Sequence, residues 1–103
     1  MAIEREIIES PVEQGADEEV AYSLTTTPWG GTPTSVAVKL YEGTERTDRT
    51  ATMLSGSASV ASDVITTPTV TGLTVDKQYR LEIKFTEASG NVVEPYLIIN
   101  CEY

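Results

Sequence analysis

Apolar and polar residues alternate with a period of two along much of this chain. The clearest case is residues 78–86, in which every second residue from Tyr79 to Phe85 is apolar and the residues between them are polar or charged. Because successive side chains of a β-strand point to opposite faces of its sheet, this pattern predicts a strand with one buried face. Leu81 and Ile83 complete the predicted buried stripe.

The same period, with glycine or proline about every ten residues, predicts further short strands. Residues 57–70 are predicted as one interrupted strand or as a short hairpin around Ser62-Asp63. Residues 3–10 are predicted as an edge strand, with a helix as the alternative because the isoleucines have helical spacing. With these two, the predicted strands are residues 3–10, 20–27, 35–41, 47–54, 57–70, 78–86 and 92–102.

Short connections join these segments, and no long helical crossover separates them. Parallel neighbours in a sheet need such crossovers, so the pattern predicts an antiparallel arrangement. The 103 residues are enough for one core, and we therefore predict a single all-β domain over residues 1–103. Seven short strands in about 100 residues are typical of an immunoglobulin-like β-sandwich.

Sheet edges are expected at two of these strands. Residues 47–54 are polar and are preceded by Arg46, which together with Arg49 would discourage pairing with another molecule. Pro68 lacks a backbone donor, so one side of its strand is expected to be an edge. Either edge is a candidate to accept a neighbouring strand.

Composition excludes most catalytic and metal-binding classes. The chain has no histidine and one cysteine, Cys101. The usual general base, the usual triad centre and a four-cysteine zinc site are therefore missing. We predict that the protein is not an enzyme and that it has no cofactor. Cys101 is expected to be a small buried apolar residue.

The net charge of −9 disfavours binding to nucleic acid or to anionic lipid, since both require basic side chains. No apolar stretch approaches the length of a membrane span. The first residues lack the basic and apolar regions of a secretory signal, so synthesis in the cytoplasm is expected, and later release in a particle is compatible with it.

Four acidic residues lie in residues 11–19, which are predicted to form a loop. Carboxylates of this kind bind calcium when their spacing suits the ion, but the spacing of a calcium loop is missing. We therefore predict a solvated segment and no metal site. The four residues are Glu13, Asp17, Glu18 and Glu19.

Candidate contact residues are Trp29, Tyr41, Arg46 and Arg49. Trp29 stands in a loop rich in proline and glycine, where it would be either a binding anchor or a cap on the end of the core. Tyr41 is predicted to face outward. With Tyr96 and Tyr103 it would form a sticky outer face or pack across strands.

Residues 69–79 resemble the link between the fifth and sixth strands of fibronectin type III domains. In that family a Gly-Leu pair is followed by a tyrosine six residues after the leucine. Here Leu73 and Tyr79 stand at those places, while Val75-Asp76 replaces a frequent Pro-Gly. The resemblance implies a tyrosine corner, in which the tyrosine hydroxyl bonds to the backbone a few residues upstream.

From Thr26 onward the chain is similar to small Ig-like proteins encoded in tailed phages and prophages. The similarity is carried by residues 26–30 (TTPWG), 33–36 (PTSV), 38–43 (VKLYEG), 56–60 (GSASV), 64–68 (VITTP) and 72–81 (GLTVDKQYRL). It implies an accessory protein of the virion head, neck or tail that acts through its surfaces.

Two functions follow as hypotheses. The first is a non-catalytic structural protein that binds other virion proteins or further copies of itself, as a homo-oligomer. The alternative is a module that binds carbohydrate or a cell surface through the loop around Trp29.

Overall fold

The computed structural model describes the backbone of residues 2–6, 11–29 and 31–103, and the side chains of residues 11–28 and 31–103. This part of the chain is mostly β-structure, as predicted. Its strands are β1 (Ala2–Glu6), β2 (Val12–Glu13), β3 (Ser23–Thr25), β4 (Thr34–Glu42), β5 (Thr47–Asp48), β6 (Leu54–Ser55), β7 (Ser59–Ala61), β8 (Val64–Thr66), β9 (Thr69–Val70), β10 (Lys77–Thr86) and β11 (Val92–Cys101). A 3-10 turn covers Thr27–Trp29, and a single helical turn, α1, covers Thr50–Met53.

The larger sheet is built around β10. This strand pairs antiparallel with β11 on one side and with β4 on the other, and β5 extends the sheet beyond β4. Leu81 lies opposite Leu97 of β11 and Leu40 of β4. The hairpin between β10 and β11 closes where the Glu87 amide donates to the Asn91 carbonyl at 2.8 Å.

The prediction of a wholly antiparallel arrangement is wrong at the other edge of this sheet. Both β1 and β2 run parallel to β11, Ile3 opposite Val93 and Val12 opposite Ile99. The prediction rested on short connections, which constrain only strands that follow each other along the chain. The first and last strands are separated by almost the whole chain, so short connections do not determine whether they run parallel or antiparallel. The strand alternative for residues 3–10 is confirmed over Ala2–Glu6, and residues 7–10 lie outside the described part.

A second layer is formed by the shorter strands. β8 lies between β3 and β7, and β6 pairs with β9. The hairpin alternative around Ser62-Asp63 is confirmed, because Ala61 of β7 pairs with Val64 of β8 across that turn. Val20 forms an isolated antiparallel bridge with Val70, which carries the pairing on from β3.

Pro68 does not mark an edge, contrary to the prediction. It lies buried in the gap between β8 and β9, and β8 is paired on both sides. The Thr67 hydroxyl accepts the Tyr22 amide hydrogen at 3.0 Å, so a side chain supplies an acceptor at this interruption of the ladder. A missing donor in such a gap breaks no regular hydrogen bond.

Residues 47–54 do not form one strand. β5 ends at Asp48, whose carboxylate accepts the Thr50 amide hydrogen at 2.9 Å. The Arg49 carbonyl then accepts the Met53 amide hydrogen at 2.9 Å and closes the turn α1. This turn carries the chain from the larger sheet to β6 in the second layer. The described residues therefore contain more strands than the seven predicted, and most of these strands are shorter than predicted.

The core lies between the two layers. Side chains of the larger sheet pack against Val70 of β9 in one cluster and against Leu24 of β3 and Ile65 of β8 in another. The predicted stripe is confirmed, since Leu81, Ile83 and Phe85 are at most 1% exposed. Burying apolar area of this kind is the main force that stabilises the fold.

The acidic segment 11–19 is more than a loop. Gln14 is fully buried, and its amide nitrogen donates to the Val70 carbonyl at 2.8 Å and to the Glu18 carbonyl at 3.0 Å. Its amide oxygen accepts from the Tyr22 hydroxyl at 2.7 Å. Burial raises the pKa of Tyr22 to about 12, with a further contribution from the charge of Glu18. One buried amide therefore ties the N-terminal segment to the second layer.

Candidate functional site

One side of the larger sheet faces away from the core. Its side chains alternate along β4, β10 and β11 with the buried ones. We call this surface the outer face. Its members are Ala37, Lys39, Tyr41, Arg80, Glu82, Lys84, Glu94, Tyr96 and Ile98.

Arg80 occupies the centre of the outer face. It lies opposite Tyr41 on β4 and opposite Ile98 on β11. Its guanidinium carbon stands 3.7 Å from the centre of the Tyr96 ring, which is a cation–π arrangement. Its Nε donates to the Glu82 carboxylate at 2.6 Å.

This centre is largely shielded from solvent although it faces away from the core. The side chains of Arg80 and Glu82 are only 14% and 16% exposed. Holding the guanidinium against an aromatic ring and a carboxylate reduces the freedom that it would lose on binding. Arginine and tyrosine are the residue types enriched at the energetic centres of protein interfaces. The arrangement therefore suits contact with another macromolecule.

Two shallow clefts flank this centre. One has a volume of about 210 Å³ and is lined by Ala37, Lys39, Tyr41, Glu82, Lys84 and Glu94. The other, of about 240 Å³, reaches the turn after β4 and includes Arg46, Arg80 and Ile98. Both are open to solvent and mix charged with apolar walls.

Charge is distributed unevenly over the molecule. Apart from Arg5 of β1, every basic residue lies on β4, on β10 or in the segment between β4 and α1. The basic residues of the outer face are Lys39, Arg80 and Lys84. The N-terminal segment and the chain end contain mainly carboxylates. On β4, β10 and β11 these three cations meet the carboxylates of Glu82 and Glu94, and β1 adds Glu4 and Glu6 at the register positions beside Glu94 and Tyr96.

Two of the predicted contact residues belong to this surface. Tyr41 is half-buried beside Arg80, and Arg46 is exposed at the rim, where its φ of 54° places it in the left-handed region of a turn. Arg49 lies elsewhere. Its guanidinium contacts the Glu42 carboxylate at 3.1 Å, in an internal ion pair at the end of β4.

Trp29 ends the 3-10 turn, and its side chain lies outside the described residues. The loop around it is attached to the β7–β8 hairpin. The Thr26 amide and hydroxyl both donate to the Asp63 carbonyl, at 2.6 and 3.0 Å, and the Thr27 hydroxyl donates to the Asp63 carboxylate at 3.1 Å. The anchoring binding role stays a prediction.

Leu73 and Tyr79 lie in the core, at 4% and 1% exposure. The Tyr79 hydroxyl accepts the Thr74 amide hydrogen at 2.8 Å, five residues upstream, and donates to the Glu42 carboxylate at 2.8 Å. The Tyr79 hydroxyl and then Arg49 hold the pKa of Glu42 below its usual range. These residues form a structural hydrogen-bond chain beneath the sheet.

The acidic residues of the N-terminal segment make internal contacts. The Glu18 carboxylate accepts from the Gly15 amide at 2.6 Å and from the Tyr103 hydroxyl at 3.1 Å. A hydrogen bond with Glu13 and the charge of that residue raise the pKa of Glu102. Within the described residues, no group of three or more carboxylate or thiol side chains is arranged to hold a metal ion.

Of the nine members of the outer face, only Tyr41 and Tyr96 were among the predicted contact residues, so sequence reasoning missed Arg80 and its charged neighbours as contacts. The alternation of apolar and polar residues places Arg80 on the face of β10 opposite to the core residues of that strand. The sequence did not reveal the register that brings Arg80, Tyr41 and Tyr96 together, because that register is set by pairing between strands that are distant along the chain.

No described helix is long and apolar enough to cross a membrane. No protein-family model, curated protein or solved structure matches the chain. The assignment of a role therefore depends on the chemistry of the surfaces described above.

Proposed function

We propose that this chain is an immunoglobulin-like β-sandwich that works as a non-catalytic assembly protein, an accessory part of a phage or prophage virion. One feature supports the finer fold. A tyrosine hydroxyl accepts a backbone amide hydrogen upstream of β10, which is compatible with the fibronectin-like resemblance of residues 69–79.

The observation that carries the functional proposal is the cluster of contacting side chains at the centre of the outer face. Arg80 is held against Tyr96 and Glu82, and Tyr41 lies at its side. A surface of this composition contributes to binding by burying aromatic area and by presenting a positioned cation. Shallow clefts with charged walls favour a protein partner over a small ligand, which normally needs a deep apolar pocket.

The phage setting rests on the similarity of residues 26–81 to the phage Ig-like proteins. An accessory protein of this kind acts by occupying a site on a larger assembly, and it needs only a fold and a contact surface. The outer face supplies that surface in this proposal.

The experiment is the recovery of the protein in particles purified from the source strain after prophage induction. Wild type is expected in the particles, in a constant ratio to the major capsid protein by mass spectrometry. Tyr41→Ala, which removes an aromatic side chain from the outer face, is expected to lower that ratio at least about tenfold, as for loss of a central contact.

Val60→Ala is the matched control, because Val60 is 40% exposed on β7 in the opposite layer. It should leave the ratio unchanged. Absence of the wild-type protein from particles would overturn the virion role, and equal incorporation of the Tyr41 variant would overturn the role of the outer face.

A further inference from the structure

We propose that β7, the free edge strand of the second layer, pairs antiparallel with β7 of a second copy of this chain, with Val60 opposite Val60 on a two-fold axis. The inference goes beyond the proposed function, because it uses the second layer and leaves the outer face to the virion contact. The dimer exists already in the free protein. One occupant of this edge is proposed, an identical strand.

The first argument is that β7 is open on one side. Within the described residues it pairs only with β8, and Ser59, Val60 and Ala61 are all exposed. A free edge offers backbone donors and acceptors to a further strand, which proteins usually prevent with charged residues or proline. Residues 50–62 contain neither. By contrast, β1 and β5, the edges of the larger sheet, both have charged residues.

The hairpin between β7 and β8 determines which backbone groups of β7 are free. Its loop is Ser62-Asp63, and the residues that flank a two-residue loop exchange both hydrogen bonds of their pair. Ala61 therefore directs its amide and carbonyl towards β8, and Val60 directs its own towards the open side. The Thr67 amide donates to the Tyr22 carbonyl at 2.8 Å. This bond gives the same phase, because alternate residues of the central strand serve β3 and β7.

The side chain of Val60 lies on the core side of the second layer. Val60 is opposite Ile65 of β8, which is itself opposite Leu24 of β3, and directly opposed residues share a face of the sheet. Ile65 is fully buried and Leu24 is 7% exposed, whereas Val60 is 40% exposed. Among the side chains that the structure describes, Val60 is the only exposed large apolar one on a strand. The apolar row across the layer therefore ends at an uncovered valine.

An identical strand completes this row. Hydrogen-bonded pairing opposes residues whose backbone groups point at each other, so Val60 meets Val60 of the second copy on the same side of the joined sheet. Ser59 then lies opposite Ala61, and both side chains are small. Pairing of β7 with β3 of a second copy fits less well. In β3 the residues that direct their backbone groups outward are Ser23 and Thr25, so Val60 would stand opposite an exposed polar residue.

Charge also favours this arrangement. The net charge of −9 opposes association through surfaces rich in carboxylates, but β3, β7 and β8 have no charged residue. The charged residue nearest to Val60 along the chain is Asp63. Pairing about Val60 separates the Asp63 positions of the two copies by about 20 Å along the strands. This is roughly twice the Debye length at physiological salt, so the repulsion between them is largely screened.

Val60→Cys tests the register of the two strands. The Cα atoms of a hydrogen-bonded antiparallel pair are about 5.5 Å apart, which a disulfide spans. We expect covalent dimers on non-reducing gels after mild oxidation of this variant, since the native Cys101 is buried. Ser57→Cys is the matched control, exposed on the same edge. The register places the two copies of residue 57 about 20 Å apart, so this variant should form no disulfide dimer.

Sedimentation velocity measures the dimer without a disulfide. Wild type is expected to sediment with twice its 11.2 kDa mass and to dissociate on dilution. Val60→Lys places two like charges on the axis and should weaken dimerisation at least about tenfold. Thr25→Lys, exposed on β3, changes the net charge equally and should dimerise as wild type does. Circular dichroism should show the same β-spectrum for both variants.

Three results would overturn the inference. They are a wild-type monomer at concentrations up to about 1 mM, a Ser57→Cys variant that forms covalent dimers as readily as Val60→Cys, and a Val60→Lys variant that dimerises as tightly as Thr25→Lys. Incorporation into particles is a separate measurement. A monomeric wild type that is recovered in particles, and lost from them in the Tyr41→Ala variant, contradicts the dimer and leaves the proposed function intact.

Discussion

Tyr79 links the hydrophobic core to a chain of hydrogen bonds at the end of the larger sheet. Its ring lies in the core, and its hydroxyl connects the Thr74 amide to the carboxylate of Glu42, which in turn contacts Arg49. A buried polar group that is fully hydrogen-bonded is neutral to mildly stabilising, whereas one that loses its partner is costly. The free energy of unfolding should therefore change when a single polar atom of this group is removed.

Tyr79→Phe removes only the hydroxyl oxygen and leaves both partners without it. We expect a loss of about 1–3 kcal/mol in the free energy of unfolding, measured by urea denaturation. Tyr41→Phe is the control, since the Tyr41 hydroxyl makes no hydrogen bond within the described residues. Equal stability of the two variants would show that the hydroxyl of Tyr79 has no structural role.

Glu42 predicts a dependence of stability on pH. The hydrogen bond from Tyr79 and the Arg49 guanidinium keep its pKa low in the folded protein. The unfolded chain therefore binds the proton more tightly, and the stabilisation is present above the ordinary glutamate pKa of about 4.3. It is lost as the pH falls through the lower folded pKa.

Glu42→Gln keeps an acceptor for Tyr79 and removes the charge. The variant should be less stable than wild type at neutral pH, and the difference should shrink as the pH falls below about 4. Urea denaturation over a series of pH values measures it, with Glu45→Gln as the control for loss of a carboxylate from the same end of the sheet. A difference that stays constant with pH would contradict this account.

Among the elements, the N-terminal segment shows most clearly what sequence reasoning misses. Its acidic residues indicated a solvated loop, yet β2 pairs with β11 and Gln14 is fully buried. A lone glutamine in a polar segment contains no local signal of burial. The acceptors that satisfy it belong to Val70 and Glu18, one of them 56 residues away.

Gln14→Leu tests the importance of this element with little change in side-chain volume. It leaves the Val70 carbonyl and the Tyr22 hydroxyl without the partner they have in wild type. We expect a loss of about 1–3 kcal/mol in the free energy of unfolding. Gln78→Leu is the matched control, because the amide of Gln78 bonds Asn100 at an exposed position. A larger loss at Gln78 would mean that the buried amide is unimportant.

The long strands were predictable because one buried face leaves a regular pattern in the sequence. β10 and β11 were predicted within one residue of their bounds, and the outward direction of Tyr41 on β4 was predicted correctly. The polar residues 47–54 lack such a pattern. Their path is set by the capping contact of Asp48 and by the need to cross between layers. Short strands of two or three residues depend on their neighbours more than on their own composition.

At the scale of the whole molecule, the larger sheet has one face in the core and one face that points away from it. Core residues of β10 hold the layers together, and the alternate residues of the same strand form the outer face. The period of two in the sequence revealed both faces, but only the pairing of β4, β10 and β11 brings Tyr41, Arg80 and Tyr96 together. The charge of −9 pointed away from nucleic acid, and the pairing shows where the few cations gather.

The central claim is that the outer face of the larger sheet, rather than the loops, makes the contacts of this protein. Hydroxyl-radical labelling of the protein, free and in purified particles, read by mass spectrometry, tests it most directly. The account predicts reduced labelling in the particles along β4, β10 and β11, largest near Tyr41, Arg80 and Tyr96, and no change along β7. Labelling that is the same in both states, or that changes mainly in residues 26–33 and in the hairpin at Asp63, would contradict it.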